Sequence, residues 1–292
     1  MTQSPNPRMF NKSPIVSPQS SMDADTHTDI AAVYTAAADT FDTLPFWHHF
    51  GRRTVERLTL PAGGRVLDLC CGTGASALPA AEAVGPTGSV LGIDITKALV
   101  EQARQRAAAA GLRHAAFQCA SIESLSFPAA SFDAEISVFG LFFIADMSGL
   151  LSRAWEWLAP GGVLAVTTWG EDVLAPGEAL FQEAVEREAP SVHAPGHAAR
   201  LDTPEKVAGV FTAAGLPAPT IERDRWEMPL ASPEAFWPVI MGTSNRGAYE
   251  ALTADARERV RLAVLAGLQG VTATAMDALY AVVRRPRASI GD

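Results

Sequence analysis

Apolar and polar positions follow two rhythms along the middle of the chain. Residues 66–70 and 163–166 are almost continuously apolar, as expected for strands buried on both faces of a parallel sheet. Segments with a helical pattern separate such runs. Strands and helices that alternate at this spacing indicate βαβ units, and therefore an α/β fold with helices on both faces of a mostly parallel sheet. The pattern predicts strands at 65–70, 89–94, 115–119, 131–140 and 163–169, and helices at 75–83, 97–110 and 145–158.

The rhythm is looser on either side of this stretch. Two predicted helices precede it, at residues 30–41 and 46–60, and a Pro-Ala-Gly-Gly turn follows the second helix. After Trp169 the pattern predicts helices at 179–188, 204–214, 233–241 and 249–268, and strands at 220–228 and 271–284.

The first 28 residues have a different composition. They contain three Ser-Pro pairs and few large apolar residues, so they cannot bury enough surface to offset the entropy of ordering. We therefore predict a disordered tail at residues 1–28. The tail lacks the apolar central stretch of a secretory signal.

Composition narrows the class of protein. The 292 residues include 23 basic and 32 acidic side chains, and the net charge of −9 disfavours nucleic acid as the main partner. No apolar run approaches the roughly 18 residues of a membrane-spanning helix, so we expect no integral membrane protein. The three cysteines do not make a disulfide framework, which indicates a reducing cytoplasm.

The most informative segment is residues 66–74, which reads Val-Leu-Asp-Leu-Cys-Cys-Gly-Thr-Gly. A buried strand leads into a tight turn, where Gly72 and Gly74 let a ligand approach the backbone at the start of a helix. The next predicted strand ends in Asp94, and an acid at this place can accept hydrogen bonds from both hydroxyls of an adenosine ribose. The combination is far more specific than a lone Gly-x-Gly.

These motifs resemble those of the class I S-adenosylmethionine-dependent methyltransferases, over roughly residues 29–284. The resemblance is most specific at residues 66–74, 92–95, 127–133 and 159–162. The order of the last two segments is typical of the subgroup that includes ubiquinone and menaquinone C-methyltransferases and many natural-product methyltransferases. The resemblance implies S-adenosylmethionine (SAM) as cofactor, and a Rossmann-like sheet of seven strands whose last strand runs antiparallel.

The resemblance also assigns cofactor-binding residues on the first two strands. It places Asp68, Gly72 and Gly74 along the methionine part of SAM. Asp94 would hold the ribose, and Ile95 would flank the adenine.

Further cofactor residues depart from the family's usual pattern or lie outside its core. Cys70 replaces the first glycine of the motif, so the backbone there must keep φ below zero or accept strain. The position that often holds an acid for the adenine amino group is Ser121, and the backbone of Ile122 could meet the ring. The family also places Val138 near the amino acid moiety of SAM, and Tyr34 resembles a tyrosine laid over SAM in many small-molecule methyltransferases.

The resemblance gives a domain layout and a reaction. A helical cover at residues 29–60 would follow the tail, and a methyltransferase domain would span 61–292, with insertions near 170–202 and 231–268 enclosing the acceptor. The implied reaction is methyl transfer to an oxygen, nitrogen or carbon atom of a small-molecule acceptor, as in secondary metabolism. No metal is expected, and a homodimer is compatible with the sequence.

Catalytic and acceptor-binding candidates rest on weaker signals. His48, His49 and Glu171 could act as a general base where the nucleophile must lose a proton, although surface or capping roles explain them as well. Side chains that could line an acceptor pocket, or simply pack, are Phe139, Trp169, Trp237, Met241 and Arg246.

Two other classes of protein stay open. The spacing of Gly72, Gly74 and Ala77 also matches the fingerprint of an NAD(P)-dependent oxidoreductase. Against that class, Asp68 would repel a pyrophosphate, whereas it would attract the sulfonium and ammonium groups of SAM. The other class is a SAM-binding protein that transfers no methyl group.

Overall fold

A seven-stranded sheet forms the centre of the molecule. The structure is a computed structural model that describes residues 24–192 and 198–287. The strands are β1 (Arg65–Leu69), β2 (Ser89–Asp94), β3 (Ala115–Cys119), β4 (Phe132–Val138), β5 (Leu158–Trp169), β6 (Thr220–Pro229) and β7 (Ala273–Arg284). The helices are α1 (Ala24–Phe41), α2 (Pro45–Glu56), α3 (Ala77–Val84), α4 (Lys97–Ala109), α5 (Met147–Trp157), α6 (Gly177–Glu188), α7 (Pro204–Ala213), α8 (Trp237–Met241), α9 (Asn245–Glu250) and α10 (Ala254–Gly267).

The strand order is β3-β2-β1-β4-β5-β7-β6. Strands β1 to β5 pair in parallel, whereas β7 runs antiparallel to both of its neighbours, β5 and β6. This arrangement confirms the predicted fold class, including the antiparallel last strand. The order reverses between β1 and β4, and ligands of open α/β sheets bind beyond the carboxyl ends of the strands at such a point.

The parallel strands bury both of their faces. Leu67 and Leu164 face one apolar layer, which α5 covers, while Val66 and Ala134 face a second layer covered by α3 and α4. Continuous apolar runs follow from this double burial. No helix in the described ranges is both long and apolar enough to cross a bilayer.

Several element boundaries differ from the prediction, and three of the differences lie at helix ends. Helix α1 begins at Ala24, inside the predicted tail, since no proline or glycine after Pro18 interrupts a helix there; residues 1–23 lie outside the described residues. Helix α2 ends at Glu56 instead of residue 60, where the N–H groups of Arg57 and Leu58 bond three residues back and tighten the last turn. The predicted helix 249–268 is two helices, because the Thr253 side chain accepts the Ala256 N–H and starts α10 anew.

Candidate active site

Asp94 connects the turn after β1 to the start of α4. One carboxylate oxygen accepts the backbone N–H of Gly72 at 2.9 Å, and the other accepts that of Thr96 at 2.8 Å. Burial raises the pKa of Asp94, while both backbone donors oppose that rise. The two bonds fix the carboxylate, and each oxygen keeps a lone pair for a ligand.

Around Asp94, the carboxyl ends of the parallel strands open into a first cavity of about 890 Å³. Eight of the ten predicted cofactor-binding residues are in its wall: Tyr34, Cys70, Gly72, Asp94, Ile95, Ser121, Ile122 and Val138. The phenol of Tyr34 stays protonated, because burial and the charge of Asp94 raise its pKa. Most of the predicted residues therefore lie in one cavity wall, where the ends of four strands and Tyr34 of α1 bring them together.

Asp68 lies behind the cavity wall and not in it. Its side chain is fully buried, and one carboxylate oxygen accepts the Ser76 hydroxyl at 2.7 Å. The other oxygen has no hydrogen-bond partner in the described part of the chain. Burial, with a smaller contribution from Asp94, raises the pKa of Asp68 to about 7. A buried carboxyl without a counter-ion fits a cationic ligand in the adjacent cavity, as SAM would be.

Gly74, the other predicted residue outside the wall, shapes the turn. Its φ of +83° is a left-handed conformation that favours glycine, and an added Cβ would lie 3.3 Å from Leu78 and 3.4 Å from Phe117. The position therefore faces the α3 layer and not the cavity.

Cys70 has a strained backbone conformation, which is one of the two outcomes that the sequence allowed. Its φ is +62°, so a side chain stands in a region that glycine adopts without penalty. Burial raises the pKa of the Cys70 thiol well above its usual range, with smaller contributions from neighbouring carboxylates. The thiol is therefore neutral and lines the cavity as a small apolar group.

A second cavity of about 1000 Å³ adjoins the first. Tyr34, Trp47 and Phe143 line both cavities and form the wall between them. The second cavity is aromatic on the side of this wall and polar on the far side. Its other lining residues include Phe46, Phe142, Trp169, Glu171, Leu174, Glu178, Gln182, Asp202, Ser244, Asn245 and Met276.

Two pairs of stacked aromatic rings lie beside the first cavity. The rings of Phe139 and Trp169 are 3.5 Å apart and nearly parallel, and those of Phe41 and Trp47 are 4.6 Å apart. The indole nitrogen of Trp47 is buried and has no hydrogen-bond partner among the described residues. Of the predicted acceptor residues, Trp169 lines the second cavity and Phe139 lines the first.

Three other predicted acceptor residues lie in neither cavity wall, which corrects that expectation. Trp237 packs edge-on against Tyr249, with ring centroids 4.9 Å apart. Arg246 bonds to Glu250 at 2.8 Å and to a carbonyl of α1. Met241 ends the five-residue helix α8, which buries its middle residues instead.

Of the base candidates, only Glu171 lines the second cavity. His48 lies near Asp42 and Arg106, and His49 stacks on Trp226 with centroids 4.3 Å apart. Successive residues of a helix point about 100° apart, so α2 directs Trp47 inward and its two histidines away from the cavities. Burial, with the nearby charge of an arginine, lowers the pKa of His49.

Sequence reasoning missed several residues of the second cavity. Trp47 lies in the predicted helix 46–60, and no motif marked it as a site residue. Glu178, Gln182 and Asn245 carry no motif. Glu178 and Gln182 are four residues apart on α6, and the tertiary fold brings Asn245 of α9 to Glu178. Within the described ranges, no three His, Cys, Asp or Glu side chains are grouped as a metal site.

Comparisons with known proteins agree with this geometry. A family model described as a methyltransferase domain matches residues 66–162. The chain is 38% identical over 141 residues to the aklanonic acid methyltransferase DauC of Streptomyces sp. (strain C5), which covers 48% of this chain and 64% of that protein. It is 30% identical over 199 residues to the nocamycin O-methyltransferase of Saccharothrix syringae, which covers 64% of this chain and 69% of that protein.

A solved structure shows the same fold. The YcgJ protein of Bacillus subtilis matches with a TM-score of 0.54 and 18% identity, over 82% of this chain and 100% of that one. The chain spans less than two thirds of DauC, at 64%, and slightly more of the nocamycin enzyme, at 69%. Together with the site geometry, these matches show that the chain belongs to the class I S-adenosylmethionine-dependent methyltransferases, whose cofactor is SAM.

Proposed function

We propose that the protein transfers the methyl group of SAM to an oxygen, nitrogen or carbon atom of a small-molecule acceptor. The observation that carries this proposal is the wall of Tyr34, Trp47 and Phe143 that the two cavities share. Because these three side chains border both cavities, a cofactor in the first cavity and an acceptor in the second would lie next to each other along them. Direct displacement needs such an approach, with the nucleophile in line behind the methyl group at about 3 Å.

The chain's own residues bind, orient and exclude water. SAM, when bound, supplies a methyl group on a positively charged sulfur. Asp94 is held by two backbone N–H groups and would accept the ribose hydroxyls, while the charge of Asp68 favours a cation beside the glycine turn. The aromatic wall excludes water from the meeting point of the cavities. Glu171 lines the second cavity, which supports it as the residue that accepts a proton where the nucleophile carries one.

The relatives support an acceptor from secondary metabolism. The two curated relatives are named for aklanonic acid and nocamycin. Neither an oxidoreductase nor a SAM-binding protein without transfer gains support from the family model or from these relatives.

Two measurements test the proposal. We expect S-adenosylhomocysteine, the demethylated product, to bind the purified protein in isothermal titration calorimetry, with NAD⁺ and NADP⁺ giving no heat. Methyl-labelled SAM should then label a member of a panel of aromatic natural products. Binding of NAD⁺ without binding of S-adenosylhomocysteine would overturn the assignment of the cofactor. Binding of S-adenosylhomocysteine without transfer across the panel would favour the non-methylating hypothesis.

Location and assembly belong to the same proposal. The scarcity of cysteine and the free state of Cys70, Cys71 and Cys119 support a cytoplasmic enzyme. A homodimer is tested by light scattering after size-exclusion chromatography, where a mass near the monomer's 30.8 kDa would contradict it.

A further inference from the structure

The far side of the second cavity holds a carboxylate that two amides fix in place. Glu178 and Gln182 lie on α6, and Asn245 is the first residue of α9. One oxygen of Glu178 accepts the Gln182 amide at 2.8 Å, and the other accepts the Asn245 amide at 2.6 Å. The Asn245 bond joins α9 to α6, and each oxygen of Glu178 retains a lone pair.

This carboxylate differs from the other two that line the cavity. Asp202 forms an ion pair with Lys206 at 2.6 Å. Glu171 interacts electrostatically with Arg223, whose ion-pair partner is Asp277. No lysine or arginine lines the cavity in the part of the chain that the structure describes.

Glu178, by contrast, has only amide partners among the described residues. The nearby Arg200 donates instead to the carbonyls of Phe142, Ile144 and Ala145. Glu178 is half-buried at the cavity, where an opposite charge would stabilise a carboxylate, and none of the described side chains supplies one.

An independent observation also points to a ligand in this cavity. Trp47 is only 7% exposed, and its indole N–H finds no acceptor in the described residues, although its ring lines both this cavity and the first. Buried donors in native proteins are nearly always paired. A ligand with a polar atom near the shared wall would supply the missing acceptor.

We propose that Glu178 determines acceptor specificity, by pairing with a protonated amine on an acceptor whose aromatic body lies between the rings of the second cavity. The inference rests on the proposed function, because it takes this cavity as the acceptor site. An ammonium group donates several hydrogen bonds and would supply the positive charge that is missing beside Glu178. A carboxylate at the same place would be repelled and would lose its hydration, so acidic acceptors are disfavoured.

Three matched probes test the charge preference. The full chain, saturated with S-adenosylhomocysteine, is titrated near neutral pH with 2-naphthylmethylamine, 2-naphthylmethanol and 2-naphthoate, which are cationic, neutral and anionic. In the wild-type protein the amine should bind at least about tenfold more tightly than the naphthoate, with the alcohol between them. Equal or tighter binding of the alcohol or the naphthoate would overturn the proposal without any variant.

A conservative substitution tests the residue. Glu178→Gln should reduce the ratio of amine to naphthoate affinity to about threefold or less and leave the affinity for S-adenosylhomocysteine unchanged. The control is Glu183→Gln on the same helix, where the exposed glutamate pairs with Arg187 outside the cavity. An unchanged ratio in Glu178→Gln, or an equal loss in Glu183→Gln, would refute the role of Glu178. Failure of the wild-type protein to bind S-adenosylhomocysteine would instead contradict the proposed function.

Discussion

Cys70 and Gly140 lie so close that a Cβ on the glycine would fall within 2.3 Å of the Cys70 Cβ. The same added atom would lie 3.0 Å from the Cys70 sulfur and 3.4 Å from the Ser137 hydroxyl. The backbone of Gly140 is compatible with alanine, since its φ is −115°. A glycine is therefore needed after β4 because a side chain replaces the family's usual glycine after β1.

This contact predicts a rescue in a double variant. Gly140→Ala should lower the free energy of unfolding by about 2 kcal/mol or more, because backbone or Cys70 must shift to admit the methyl group. Cys70→Gly should change stability by less than about 1 kcal/mol, because relief of the strained φ offsets the added entropy of the unfolded chain. In Cys70→Gly/Gly140→Ala, most of the loss should be recovered. Urea denaturation measures all three, and additive effects would contradict the contact.

The ribose assignment predicts a loss of cofactor affinity. Asp94→Asn should weaken binding of S-adenosylhomocysteine by about 1.5–3 kcal/mol, the range of a hydrogen bond to a charged group. Calorimetry measures the affinity, and circular dichroism checks that the turn still folds. The matched control is Asp39→Asn, an exposed position on α1 that should leave affinity unchanged. Equal affinity in the Asp94 variant and in the wild-type protein would refute the assignment.

Glu135 predicts an unusual dependence of stability on pH. It lies fully buried on β4 between Leu67 of β1 and Leu164 of β5, and neither carboxyl oxygen has a hydrogen-bond partner among the described residues. Burial raises its pKa well above the usual value, although Arg285 opposes the rise. The folded protein therefore keeps the proton at pH values where the unfolded chain has lost it.

Stability should accordingly fall as pH rises above the unfolded value of 4.5, by up to about 1.4 kcal/mol per pH unit until the folded pKa is reached. Glu135→Gln removes this titration, so its advantage over the wild-type protein should grow between about pH 5 and pH 7. Urea denaturation at several pH values gives the difference. Parallel curves for the two proteins would show that Glu135 is ionised in the fold.

Once an acceptor is known, the kcat values of variants should distinguish the three candidates for the general base. For an acceptor that must lose a proton, Glu171→Gln should lower kcat by about a hundredfold, because this residue alone of the three lines the second cavity. His48→Gln and His49→Gln should keep kcat within about twofold, since their rings contact Arg106 and Trp226 instead. A large loss in either histidine variant would show that α2 moves when substrates bind.

More of the predicted residues line the first cavity than the second, for a physical reason. Strand ends in a parallel sheet converge on one edge, so Gly72, Asp94 and Ser121 could be brought together by counting strands. The predicted bounds of β2 and β3 agree with the structure to the residue, and for β2 this agreement follows from burial on both faces.

The acceptor side depends on helix packing, which leaves a weaker trace in the sequence. The rotation of α2 decides that Trp47 lines a cavity while His48 does not, and the periodicity of a short aromatic run does not fix it. Glu178 and Asn245 meet only because the tertiary fold brings α9 to α6. Arg246 was a candidate for the acceptor pocket, yet its guanidinium donates to the carbonyl of Ala36.

The position of β7 in the sheet sets the order in which the protein can be completed during translation. β6 hydrogen-bonds only to β7 within the sheet, and β7 is the strand that connects it to β5. A ribosome that has released the chain up to α10 therefore leaves β6 without a neighbour and β5 with an open edge. A nascent chain stalled before β7 should recruit chaperones, and release of that last strand should complete the sheet in one step.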